Sequence, residues 1–189
     1  MDPKTPASLN LLFARRSIRA YRPGAVSDEL VRTVLEAAMA APSACAKDPW
    51  RFVVVRDRAR LRKIADALPN GQMIADAALG IVVCGDLESA HDRQLSYLLQ
   101  DCSAAMENLL LAVSAVGLGA CWLGIHPRED RVKRISALLE LPPSVIPMGG
   151  VAIGWPGENK EPRTRYNETY IHREKWYAYP PATPTRPVC

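Results

Sequence analysis

Residues 101–124 read DCSAAMENLLLAVSAVGLGACWLG, and the rest of the chain is best read outward from them. The first half is apolar on nearly every side, interrupted mainly by Ser103, Glu107 and Asn108. A surface helix shows one apolar stripe, so this pattern predicts a helix buried all round, from about Asp92 to Val116. In a chain this short, such a helix is most easily covered by a second subunit. Gly117-Leu118-Gly119 breaks it, and residues 120–125 predict a strand. These glycines superficially suggest a dinucleotide fingerprint, but they leave a helix and enter a strand, the reverse of that motif, and its third glycine is missing. They are read as a helix end and a sharp turn.

Toward the N-terminus, residues 78–84 (ALGIVVC) predict a buried strand that ends at Gly85-Asp86. Leu61, Ile64, Ala65 and Leu68 mark a helix closed by Pro69-Asn70-Gly71, and RFVVV at 51–55 predicts another strand. Ser27 offers an N-cap, with Asp28 and Glu29 in the first turn of a helix carrying Leu30, Val31, Val34, Leu35 and Ala38. Pro42 stops that run, and residues 9–16 predict a short helix ending in arginines. Toward the C-terminus, residues 128–139 predict a helix and 145–153 a last strand. After Gly154-Trp155-Pro156-Gly157 the chain turns polar, and residues 177–189 form a Pro-rich tail, expected to be loose or wrapped on a partner. Helices and strands alternate imperfectly, with two or more helices between some strands. That favours an α+β fold, helices packed around a small sheet, over a doubly wound parallel one. No repeat or linker divides the chain, so residues 1–189 are expected to form a single domain, with its core at about 9–176.

Of the 189 residues, 48% are hydrophobic and 23% charged, which excludes a disordered chain. No run approaches the roughly 18 apolar residues of a membrane span, and the start MDPKTPASLN lacks a signal-peptide layout. A soluble, cytoplasmic protein without a membrane partner is expected. The five cysteines show no CxxC or metal-ligand spacing. Cys84 and Cys121 lie in apolar runs and are read as buried thiols. A catalytic cysteine needs a partnered histidine, and nothing near His91, His126 or His172 resembles a nucleophile motif. No metal is expected.

The formal net charge is +4, but its distribution says more than the sum. Arg15, Arg16, Arg19 and Arg22 crowd one end; Lys160, Arg163, Arg165, Arg173 and Lys175 crowd the other. The two segments can meet in the fold and neutralise a small dianion such as a phosphate. The bland alternative for residues 15–19 is a solvated basic turn.

RRSIRAY at 15–21, followed by AAPSACAKDPWRFVVV, then ADAALGIVVCGD, the 101–124 stretch and IGWPGENKEPRTRYN, resembles in order the nitroreductase family of FMN-dependent oxidoreductases. The resemblance spans roughly residues 9–176 and is strongest to the small, compact members. It implies helices around a small mixed central sheet, in an interlocked homodimer with FMN at the subunit interface. By position, Arg15, Ser17 and Arg19, with Arg16 alongside, would bind the FMN phosphate and ribityl hydroxyls, and Arg163 and Arg165 would close that site. Pro42, Ser43 and Ala44 match the stretch that approaches the flavin from the other subunit. Trp122, Leu123 and Gly124 match the strand end facing the ring, where an amide near Gly124 would donate to flavin N5. Asp101 falls where relatives place a polar side chain near the ring edge; it is equally readable as a helix-face carboxylate. Trp50 is read as core, and Trp122 as either core or site. Where family members often carry Asn and Gln, this chain has Ala46 and Asp48, a departure that bears on substrate preference.

The implied activity is ping-pong reduction of nitroaromatics, quinones or similar small acceptors by NADH or NADPH, with no dedicated acid or base. Two alternatives stand beside it. One is a flavin-fragmenting or dehalogenating relative of the same family. The other is a basic polyanion-binding dimer, against which stand the modest charge and the lack of any nucleic-acid motif; no nucleic-acid partner is expected.

Overall fold

The computed structural model describes residues 6–176, so the Pro-rich tail lies outside the described residues. The elements are α1 (Asn10–Ala14), β1 (Tyr21–Arg22), α2 (Asp28–Met39), β2 (Trp50–Val55), α3 (Arg58–Ala67), β3 (Leu79–Asp86), α4 (Leu95–Ala115), β4 (Gly119–Gly124), α5 (Glu129–Leu139) and β5 (Val145–Pro156). Three-ten turns precede α1, β3 and α4 and lie between α2 and β2, so the connections between strands hold one α-helix each.

The long strand β5 organises the sheet: β3 pairs along one side of it, β4 along the other, and β1 with its end, while β2 pairs with β3. All these pairings are antiparallel. The parallel component expected of a mixed sheet is reduced to an isolated bridge between Ser17 and Ala120. The reason is topological. Strands β3 and β4 run in the same direction and α4 connects them, but β5 inserts between the two.

Side-chain alternation divides the core. Leu79, Ile81, Val83, Val151 and Ile153 pack with α2 and α4, whereas Val82, Cys84, Ala152, Cys121 and Leu123 pack with α3 and α5. Both faces of the sheet are covered, which is why β3 reads as a continuous apolar run. Trp50 is buried, as expected.

The sheet and α2 cover α4 within one protomer. Leu98, Cys102, Ala105, Met106, Leu109, Leu110 and Val113 are buried, while Ser103 and Glu107 face outward. The helix is therefore not buried all round, and most of its apolar surface needs no second subunit to cover it. Its end is as expected: Gly117 adopts φ +79°, and the Leu118 amide bonds back to the Val113 carbonyl at 3.0 Å. Ser27 caps α2, accepting from the Leu30 amide at 3.2 Å. Ser27→Ala is expected to cost about 1 kcal/mol, read as a lower urea midpoint at unchanged slope.

Candidate functional site

After α1 the backbone turns extended at Arg15 and runs beside the start of β4, where the Ile18 amide donates to the Ala120 carbonyl at 2.9 Å. The segment after β5 meets it from the other side. The Gly157 amide donates to Ala20 O at 2.8 Å. A Cβ on Gly157 would lie 3.1 Å from the Ala20 and Tyr21 carbonyl carbons, so the crossing uses a residue without one. Lys160 Nζ donates to Ser17 O at 2.8 Å, Arg16 Nη1 donates to Glu161 O, and the Arg163 amide donates to Phe13 O at 3.1 Å. The two basic segments predicted to meet do meet. Arg165 follows two residues on and is exposed. The Tyr21 hydroxyl lies 2.8 Å from Ile18 O and 3.1 Å from Ala152 O, fastening the segment to β5; burial raises its pKa far above the usual phenol range.

Glu158 sits among these cations, a placement that no motif announces. Its Oε1 accepts from the Arg19 amide at 2.6 Å and pairs with Lys160 Nζ at 2.9 Å. The Arg19 amide foremost, then Lys160, holds its carboxyl below the usual range. The contact therefore adds stability above the ordinary glutamate range and is lost as pH falls through the lowered value. Arg15 Nε lies 3.2 Å from Glu107 Oε1 on α4, but out of hydrogen-bond alignment, which leaves a buried N–H without an acceptor. Arg15, Arg16, Ser114, Gly117, Glu158 and Lys160 line a cleft of about 190 Å³ here. Nitrogen donors of this kind, several of them cationic, can receive the oxygens of a small anion.

At the far end of β4, Trp122 is 42% exposed on the sheet face that carries α4, which settles its ambiguity in favour of a surface position. Leu123 is buried between β4 and the α3–α5 layer. Gly124 is exposed and its carbonyl accepts from Arg131 Nη1 at 2.8 Å. Four residue steps along the strand separate Ala120 from Gly124, about 13 Å at the usual rise.

Residues 42–44 lie elsewhere in the protomer. Ser43 Oγ donates to Asp48 Oδ1 at 2.5 Å and accepts from the Asp48 amide at 3.0 Å. The Ala44 amide donates to Asp101 Oδ1 at 2.9 Å. Asp101 is 5% exposed, so it is not a solvated helix-face carboxylate; it is buried and bound to the 42–48 turn. Asp101 and Glu107 are six residues apart on α4, so the anchors of this turn and of Arg15 are about 9 Å apart along the helix. One protomer does not bring residues 42–44 to the arginine cluster.

Cysteine placement separates two kinds of thiol. Burial pushes the Cys84 and Cys102 thiols up to about 12, and raises that of Cys121. Cys45 is exposed, with Sγ 3.8 Å from His91 Nε2, a thiol–imidazole contact between residues far apart in sequence. Among the described residues no His, Cys, Asp or Glu group is arranged to hold a metal, and no helix is long and apolar enough to cross a membrane.

Comparison with known proteins gives this arrangement a setting. The model of the nitroreductase family matches residues 12–86 and 67–155. A protein of Archaeoglobus fulgidus, named as an NADH dehydrogenase/NAD(P)H nitroreductase, is 44% identical over 171 residues, covering 89% of this chain and 98% of its own. A Bacteroides thetaiotaomicron crystal structure of the same description superposes with a TM-score of 0.85 at 38% identity, over 92% of this chain and 100% of that one. A Desulfovibrio desulfuricans nitroreductase structure, described as a complex with FMN, gives a TM-score of 0.79 at 32% identity, over 92% and 99% of the two chains. With the family model matched over residues 12–86 and 67–155 and a relative 44% identical over 89% of its length, the chain belongs to the nitroreductase family.

Proposed function

We propose that this chain is an FMN-dependent oxidoreductase that uses NADH or NADPH to reduce nitroaromatics, quinones or similar small acceptors in ping-pong turnover, working as a homodimer. The observation that carries the reading is the meeting of two basic segments beside β4, with Lys160 Nζ on Ser17 O and the Arg163 amide on Phe13 O. The cleft suits a phosphate monoester. Arg15 Nε is buried with no aligned acceptor, and Arg16 and Lys160 supply further donors around it, while the Arg19 side chain lines the neighbouring hollow beside Tyr21 and Arg22.

In this reading Arg15, Arg16, Ser17 and Arg19 hold the phosphate and ribityl hydroxyls, with Lys160, Arg163 and Arg165 closing the site. Glu158 keeps Lys160 and the Arg19 backbone in place before the anion arrives. Residues 122–124 face the ring with backbone amides, which orient it and tune its electron affinity. FMN, when bound, supplies two-electron redox chemistry that no side chain here offers. Residues 42–44, held away from the cleft of their own protomer, cover the ring in a second copy and exclude water there. The exposed, unpaired Cys45 suits a reducing compartment such as the cytoplasm.

The purified protein is expected to be yellow, or to become so with added FMN, and to bleach anaerobically with NADH or NADPH. Intact FMN recovered after aerobic turnover separates a reductase from a flavin-fragmenting relative. Protein that stays colourless with FMN present refutes the proposal.

A further inference from the structure

We propose that Asp101 is a positioning residue that sets acceptor selectivity by holding the 42–48 turn, without itself touching flavin or acceptor. The inference rests on the flavoenzyme reading above and gives that reading a specificity determinant.

The turn is strained. Cys45, Ala46 and Asp48 have φ of 49°, 51° and 48°, a left-handed backbone adopted by three residues that are not glycine. Such conformations persist only where surrounding contacts over-determine them, and they cluster at functional sites. The Ser43–Asp48 bonds close the turn on itself, and its exposed side touches His91 through Cys45 Sγ at 3.8 Å and Arg51 Nη1, which donates to Asp48 O at 3.2 Å. The Ala44 amide on Asp101 Oδ1 ties it to α4, in the middle of the core layer.

Asp101 is also a poor choice for stability alone. It is 5% exposed, its Oδ1 takes one bond, and its Oδ2 is buried with no partner among the described residues. A half-satisfied buried carboxylate is destabilising. What it gives in exchange is a charge-assisted bond to the Ala44 amide, about twice as strong as a neutral amide acceptor provides. The fold thus accepts a local fault to hold a strained turn rigid. Residues 42–44 are those read as covering the ring, so the width of the space open to an acceptor follows from where Asp101 holds them. The phosphate end of the site, anchored on residues 15–19, is independent of it.

The test compares Asp101→Asn, Asp101→Ala and Ser43→Ala with the wild type, each reconstituted with FMN. Hydrogen exchange at the Ala44 amide is expected to speed up in the order wild type, Asn, Ala. The acceptor KM should rise in the same order, by about tenfold in the Ala variant, the size of one charge-assisted bond. For the two Asp101 variants, kcat and the FMN dissociation constant should stay within about twofold of wild type, because the Arg-anchored end is untouched. Asp101→Asn should keep or raise the melting temperature while its KM rises, a split that a purely structural role does not produce. If Asp101→Ala does not fold, Ser43→Ala loosens the same turn from its exposed side and must raise KM in the same direction.

A KM unchanged while the Ala44 amide loses protection overturns the proposal, as does an Asn variant that loses stability and activity in step. Failure of the underlying reading looks different: wild-type protein then binds no FMN, while the exchange experiment still reports whether Asp101 holds the turn.

Discussion

Arg15→Ala combined with Arg19→Ala is expected to raise the FMN dissociation constant at least about a hundredfold, because each charge-assisted bond to a phosphate contributes about 1.5–3 kcal/mol. The two side chains share one anion, so their losses will not add in full, and a hundredfold sits below the roughly 3 kcal/mol at which a full sum would begin. Riboflavin supplies the control. It keeps the ring and ribityl chain but lacks the phosphate, so its weaker binding should fall far less than that of FMN in the double variant. Fold stability should also change little: the Arg15–Glu107 pair is partly exposed and misaligned, and such pairs contribute at most about 1 kcal/mol. Fluorescence titration of both flavins checks the prediction. Equal loss of FMN and riboflavin binding would place these arginines away from the phosphate.

That prediction could be framed from sequence because charge segregation survives folding. Where the two basic segments meet they are held by backbone and carboxylate acceptors, as Lys160 is by Ser17 O and Glu158. The helix caps were legible for a similar reason, since Ser27 acts on an amide three residues away. Contacts between side chains and distant backbone were not legible. Glu158 accepts from the Arg19 amide, and Asp101 accepts from the Ala44 amide. A backbone donor carries no residue-type signal, so no pattern of letters announces either bond. The Cys45–His91 contact was hidden by the same sequence distance.

Sheet boundaries show the same division. The interior of β3 was plain from its apolar run, whereas the two-residue β1 exists only because Tyr21 and Arg22 pair with Pro156 and Trp155. Those partners lie in a Trp-Pro-Gly stretch that reads as a turn. Tertiary pairing overrode it, extending β5 three residues past its expected end, with proline tolerated at the strand's last position. How far α4 is covered within one protomer was not legible either. Composition shows that a helix is apolar, but not that α2 and the sheet cover most of it.

Gly85→Ala tests how tightly that coverage is built and whether the site depends on it. A Cβ at Gly85 would lie 2.5 Å from both Cγ and Cδ1 of Leu98 and 2.9 Å from Cys102 Sγ. Both side chains are fully buried on the first turns of α4, with Leu98 at 0% exposure and Cys102 at 1%, so neither can swing aside into solvent. The helix itself must move. Overpacking of this kind costs about 1–3 kcal/mol, which in a domain of this size is a fall of roughly 2–12 °C in melting temperature. Gly150→Ala is the matched control in the neighbouring strand, because its nearest contact would be Leu123 Cβ at a comfortable 3.7 Å. Alanine there relieves a glycine of its entropic cost in a strand, so stability should hold or rise. The functional consequence follows from position. Asp101 lies between Leu98 and Cys102 along the helix, so a displacement forced by the Gly85 methyl carries the Ala44 anchor with it. Gly85→Ala should therefore lower stability and accelerate exchange at the Ala44 amide together, while Gly150→Ala does neither. Equal midpoints for the two variants would mean that α4 is not packed on β3 as closely as these distances require, and the turn it anchors would then have no rigid support.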